Sequence, residues 1–187
     1  MIFLVVLVIA VVVGLIRGGK LGTFAELNIR WKGFILVGFL IQVLIFSDFW
    51  QGQSETRALV QLGYLTSLVL LLVALLVNHR IPGMWLISLG FLLNFIAIAL
   101  NGGYMPASPA ALEMSGHRLL PPGQVSNNSI GMGADTRVPF LCDIFAIPKG
   151  FIFPNVFSVG DALIAVGAVY MIEKTMTGSQ ANPHTST

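Results

Sequence analysis

From Gly83 to Leu100 the chain runs for eighteen residues without one ionisable side chain. A helix needs about 20 predominantly apolar residues to cross the hydrocarbon core of a bilayer. Four further stretches approach or reach that length: Met1–Ile16, Gly33–Phe49, Ala58–Val77 and Val156–Ile172. An open strand in lipid would leave its backbone groups unpaired, so helix is the form expected of all five. Composition points the same way. Hydrophobic residues make up 56% of the chain and charged residues 10%, where soluble domains carry roughly 25% charged. A water-soluble enzyme, a disordered chain and a disulfide scaffold are excluded, and the single Cys142 allows no internal disulfide. The expected fold is all-α, a polytopic membrane helix bundle of five transmembrane helices forming one domain over residues 1–174, followed by a disordered cytoplasmic tail over 175–187.

Charge placement assigns an orientation. Nothing basic precedes the first stretch, and Arg17 and Lys20 follow it, which is the pattern of an uncleaved anchor and not of a signal peptide. Alternating crossings put Arg17, Lys20, Arg30, Lys32, Arg80 and Lys174 on one side with Glu26 and Glu173. The other side holds Arg57, Arg118, Arg137 and Lys149 against Asp48, Glu55, Glu113, Asp135, Asp143 and Asp161. The positive-inside rule then predicts N-out, C-in, a multi-pass protein of the cell membrane. Leu21–Trp31 reads as a short amphipathic helix at the inner interface. The long stretch Asn101–Asn155 lies outside, and its seven prolines bar a long helix, so it is expected as a Pro-rich outer loop folded on the bundle. Val138–Phe153 is expected either to enter the bilayer or to lie along its surface.

Polar side chains within apolar stretches must find a partner or face a wet cavity. Asn94 and Asn101 are seven apart, on one helix face. Ser158-Val159-Gly160-Asp161 opens the last stretch, with Asp161 about one turn inside. The candidate site is an outward-facing polar pocket built from Asn94, Asn101, Tyr104, Asp135, Arg137, Asp143 and Asp161, in which Arg137 is the nearest partner for Asp161. The plainer reading is a network that pins the loop to the helix ends, with Asp161 capping its own helix.

Catalytic signatures are weak. His79, His117 and His184 fall in no zinc or triad motif, and no glycine pair follows a strand as a phosphate loop would. No catalytic residue, metal or cofactor is implied, and no nucleic-acid footprint is present. The expected partners are the lipid bilayer, with a small ligand or other membrane proteins beside it.

Four segments occur together in order: Arg17-Gly18-Gly19-Lys20-Leu21, Leu100-Asn101-Gly102-Gly103 with Met105-Pro106, Asp135-Thr136-Arg137, and Phe157-Ser158-Val159-Gly160-Asp161. In these the chain resembles a family of small bacterial integral membrane proteins, the domain of unknown function 5317, over nearly its whole length. The resemblance implies a bacterial cytoplasmic membrane and no established activity. The reading favoured is a non-enzymatic membrane protein whose polar pocket takes a small molecule, a lipid headgroup or a partner. The alternative is an accessory or assembly subunit of a larger membrane complex. A membrane-embedded lipid-modifying enzyme using Asp143, Asp161 and His117 has the least support.

Overall fold

A computed structural model describes residues 2–46 and 57–178. Among these, six α-helices run in chain order: α1 (Ile2–Ile16), α2 (Lys32–Ile45), α3 (Arg57–Val77), α4 (Met84–Leu100), α5 (Pro109–Ser115) and α6 (Val159–Gly178). Between α4 and α6 the chain forms five short strands, β1 (Met105–Ala107), β2 (Val125–Ser126), β3 (Ser129–Gly131), β4 (Phe145–Ile147) and β5 (Asn155–Phe157). Strand β3 lies between β1, to which it is parallel, and β2, to which it is antiparallel. Strands β4 and β5 form an antiparallel pair, with Phe145 and Phe157 stacked at 5.5 Å.

The expected all-α bundle of five transmembrane helices is therefore corrected on two counts. First, two small sheets are present. Prolines forbid a long helix in the loop but not strands of two or three residues, which are too short to show a period-2 pattern. Second, among the described residues only α3, over Ala58–Val77, combines the length and apolarity needed to cross a membrane, with mean hydropathy 2.3. The apolar lengths of α1, α2 and α4 fall short of that measure, and α6 carries Asp161, Glu173 and Lys174. The N-out, C-in orientation rested on five alternating crossings and loses its basis with them, as does the multi-pass assignment. Of the α3 segment 28% is buried, less than is usual for a core helix of a soluble globule. One such helix, mostly uncovered, supports an association with a membrane. Asp48 and Glu55, counted in the charge balance, and tail residues 179–187 lie outside the described residues.

The expected amphipathic helix after α1 is a 310 turn over Leu21–Glu26. The Arg17-Gly18-Gly19 segment closes α1 with a Schellman arrangement. Gly18, at φ +83°, donates to the Leu15 carbonyl, and Gly19 donates to that of Gly14. A Cβ at Gly19 would lie 2.7 Å from Met176 Cβ, so the turn packs directly on the end of α6. Arg17 and Glu173 pair across the same contact at 2.7 Å.

Helices α4 and α6 pack antiparallel along matched glycines seven residues apart, Gly83 (the residue capping α4) and Gly90 on one side, Gly160 and Gly167 on the other. A Cβ at Gly90 would overlap the Gly160 carbonyl oxygen, and one at Gly83 that of Gly167. The two backbones thus meet with no side chain between them, the close approach that small residues permit between helices.

Two asparagines repeat one device at helix ends. Asn78, just past α3, donates to the carbonyls of Ala74 and Arg30 and accepts from the Arg30 N–H at 2.8 Å. Asn101, just past α4, does the same to Ala97 and Arg137, with the Arg137 N–H at 2.9 Å. Each amide satisfies an orphan helix carbonyl and clamps a distant peptide. The loop then shares a core with the helices: Met105 and Cys142 are buried with Tyr64 and Leu68 of α3 and Ala97 and Ile98 of α4.

Candidate functional site

At the loop end of the helices a cavity of about 310 Å³ opens between α2, α3, α4 and α6. Its polar lining comes from Gln42, Tyr64, Asn94, Asn128, Asp143 and Asp161, and its apolar lining includes Phe39, Phe91 and Phe95.

Asp161 is placed by a reciprocal cap. The Asp161 N–H donates to Ser158 Oγ at 3.0 Å, and the Ser158 N–H donates to Asp161 Oδ2 at 3.0 Å. This is capping-box chemistry with a carboxylate in the first helical turn. Ser158 Oγ also donates to Asn94 Oδ1 at 2.7 Å, and Asn94 Nδ2 donates to Asp161 Oδ1 at 2.8 Å. Ser158, Asn94 and Asp161 thereby close a ring between α4 and α6. The capping expectation for Asp161 and its membership of a polar site describe the same hydrogen bonds.

Asp143 is placed by its backbone. Its N–H donates to the Pro106 carbonyl at 2.9 Å and its own carbonyl accepts from the Ser108 N–H at 3.0 Å, fixing it against β1. Its side chain is 9% exposed, and Oδ1 is buried with no hydrogen-bond partner. Burial, and then the charge of Asp161, push its carboxyl up to about 7. The same burial pushes the neighbouring Cys142 thiol up to about 11, with the charge of Asp143 adding to it.

Of the seven residues expected to form one pocket, the structure brings together Asn94, Asp143 and Asp161. Asn101 and Asp135 line a separate cavity of about 360 Å³ beside Pro122 and Gly131. Tyr104 is buried. Arg137 is held by its backbone through Asn101, and Asp161 takes its hydrogen bonds from Asn94 and Ser158 instead. His117 is not among the cavity's lining residues; its Nδ1 lies 2.8 Å from Ser115 Oγ past α5.

Three lining residues escaped sequence reasoning. Gln42 is a lone amide in an apolar stretch, the same signal that marked Asn94, and it donates to Ser67 Oγ at 3.1 Å. Tyr64 offers no local signal, because an aromatic in an apolar helix is ordinarily core. Asn128 sits in the two-residue turn between β2 and β3, where Asn127 takes φ +53°; only the folded hairpin brings it to the cavity.

A larger groove of about 500 Å³ runs between α1 and α6, past Arg17, Glu173 and Lys174. Its charges are already engaged: Arg17 pairs with Glu173, and Lys174 lies 5.8 Å from the Tyr170 ring centre. Glu173 Oε1 in this groove is also buried without a hydrogen-bond partner, but Arg17 already pairs with that carboxylate; the smaller cavity holds two carboxylates and no basic side chain and is the better candidate.

Fold and site define a small helical protein with, among the described residues, one membrane-length apolar helix and a mostly apolar cavity that a strand-bearing loop borders with a few polar groups. Residues 26–173 match the family of unknown function DUF5317, and the chain belongs to that family. No curated protein and no solved structure matches it.

Proposed function

We propose that this is a protein of the bacterial cytoplasmic membrane that binds a small molecule in the cavity between α2, α3, α4 and α6, without transforming it. The observations that carry the reading are a cavity of about 310 Å³ lined by Asp143 and Asp161 and, on Asp143, a buried carboxylate oxygen with no hydrogen-bond partner. An unpaired buried polar group costs free energy that a bound partner would recover. The volume lies at the lower end of the range typical of small-molecule sites, and the lining is mostly apolar with a few convergent polar groups. Membrane placement is supported by α3 and by outward-facing apolar side chains on α2, where Leu36 and Val43 are 62% and 69% exposed. Such a surface suits lipid tails as its neighbours.

The test is a thermal-unfolding screen of the full chain in mild detergent against a panel of small cationic, neutral and anionic compounds. Compounds that raise the wild-type midpoint should lose most of their effect on Leu68→Trp, whose larger ring fills part of the cavity. A panel with no stabilising compound, or stabilisation that survives the filling, would overturn the proposal.

A further inference from the structure

We infer that the ligand of this cavity is a small organic ammonium ion, held by the carboxylates of Asp143 and Asp161 on one side and by aromatic faces on the other. The inference rests on the small-molecule reading above and adds the chemical class. Two carboxylates line the space, and no lysine, arginine or histidine does. Asp161 has hydrogen bonds to both of its oxygens, but Asp143, nine-tenths buried at 9% exposure, has none at Oδ1. The site therefore lacks positive charge, and the missing element is a cation to balance its carboxylates. Four aromatic residues, Phe39, Tyr64, Phe91 and Phe95, contribute to the remaining wall, and ring faces attract cations most strongly where water is excluded.

Size separates an organic cation from a bare metal ion. The cavity offers about twenty times the space that one water molecule needs, and a metal ion would leave most of it empty. A divalent ion also asks for more ligands than two carboxylates, and among the described residues no three His, Cys, Asp or Glu come together. A methylated or primary ammonium on a short apolar stem would fill the volume and meet both kinds of wall.

The experiment uses the full chain in mild detergent, in sodium phosphate near pH 8 so that no amine buffer competes. Choline and its uncharged carbon isostere dimethylbutanol are titrated by calorimetry and followed by thermal unfolding. Choline should bind and raise the unfolding midpoint, and the isostere should bind at least about tenfold more weakly. Asp143→Asn, close in shape, should weaken choline at least about tenfold. Phe95→Leu should weaken choline severalfold while leaving the isostere nearly unchanged, which keeps the test decisive if Asp143→Asn folds poorly. Equal binding of choline and isostere would overturn the charge selectivity while leaving the small-molecule reading standing. No binding of choline, tetramethylammonium or methylamine to the folded protein would overturn the inference, with the neutral and anionic members of the earlier panel then deciding the broader reading.

Discussion

Asn94 on α4 and Asp161 on α6 are joined by a 2.8 Å hydrogen bond, and the bond depends on the residue next to Asp161 being glycine. A Cβ at Gly160 would overlap Asn94 Oδ1 and lie 2.6 Å from the Gly90 carbonyl oxygen. One missing methyl group thus sets both the helix separation and the geometry of the polar ring.

Gly160→Ala is accordingly expected to destabilise the protein by about 1–3 kcal/mol, since the clash involves backbone that cannot turn aside. Gly22→Ala, where a Cβ would meet nothing within 4 Å, should change stability by less than about 0.5 kcal/mol. Thermal or denaturant unfolding of the two variants in the same detergent makes the comparison; equal effects would dissociate the seam from stability.

Asp143 should give stability a pH dependence of definite sign. Its carboxyl titrates at about 7 in the folded chain against an ordinary 3.8, so the folded form keeps a proton that the unfolded chain has released. The resulting stabilisation is complete below about pH 4 and is lost as pH rises through 7, amounting to at most about 4 kcal/mol. The groups that act on it are Asp161 from α6, with Tyr64 from α3 and the adjacent Cys142 as its titratable neighbours. Asp143→Asn should remove this slope, so the wild-type midpoint minus the variant midpoint falls between about pH 5 and pH 8. A difference that stays level across that range counts against the assignment.

Asn101 is expected to hold the loop onto α4. Asn101→Ala removes three hydrogen bonds, to Ala97 and to both sides of the Arg137 peptide, and should cost about 1–3 kcal/mol. Trypsin cleavage after Arg137 should accelerate severalfold while cleavage after Arg118 keeps its wild-type rate. Uniform acceleration would indicate general loosening instead of a local clamp.

Cys142 should resist thiol reagents in the folded protein. It is fully buried and its thiol is held near 11, so little thiolate exists at neutral pH and none of it is accessible. Maleimide labelling should be slow until denaturant unfolds the chain, then complete. Fast labelling without denaturant would show that the loop detaches from the helices.

The legible part of this protein is its helices and half of its site. Gly83–Leu100 and Ala58–Val77 announce helices by sheer apolarity, and α4 and α3 lie there. What apolarity does not report is span: α1, α2 and α4 are greasy but short, and α6 carries charge. Asn94, Asp143 and Asp161 were visible because polar atoms near apolar stretches are costly and must be answered. Pairing Asp161 with Arg137 failed because opposite sign says nothing about distance, and the Arg137 backbone is committed to Asn101. The strands could not be foreseen from segments of two or three residues whose partners lie far along the chain. The structure joins Met105 to Ser129 and Phe145 to Phe157 across loops that only the fold closes.

The glycine seam has a mechanical consequence. With backbone resting on backbone at Gly83, Gly90, Gly160 and Gly167, α4 and α6 form a stiff wall that cannot part without losing its whole interface, and Asp161 is mounted on that wall. The cavity is bounded elsewhere by side chains such as Phe39 and Gln42 of α2, which can change rotamer where packed peptide groups cannot.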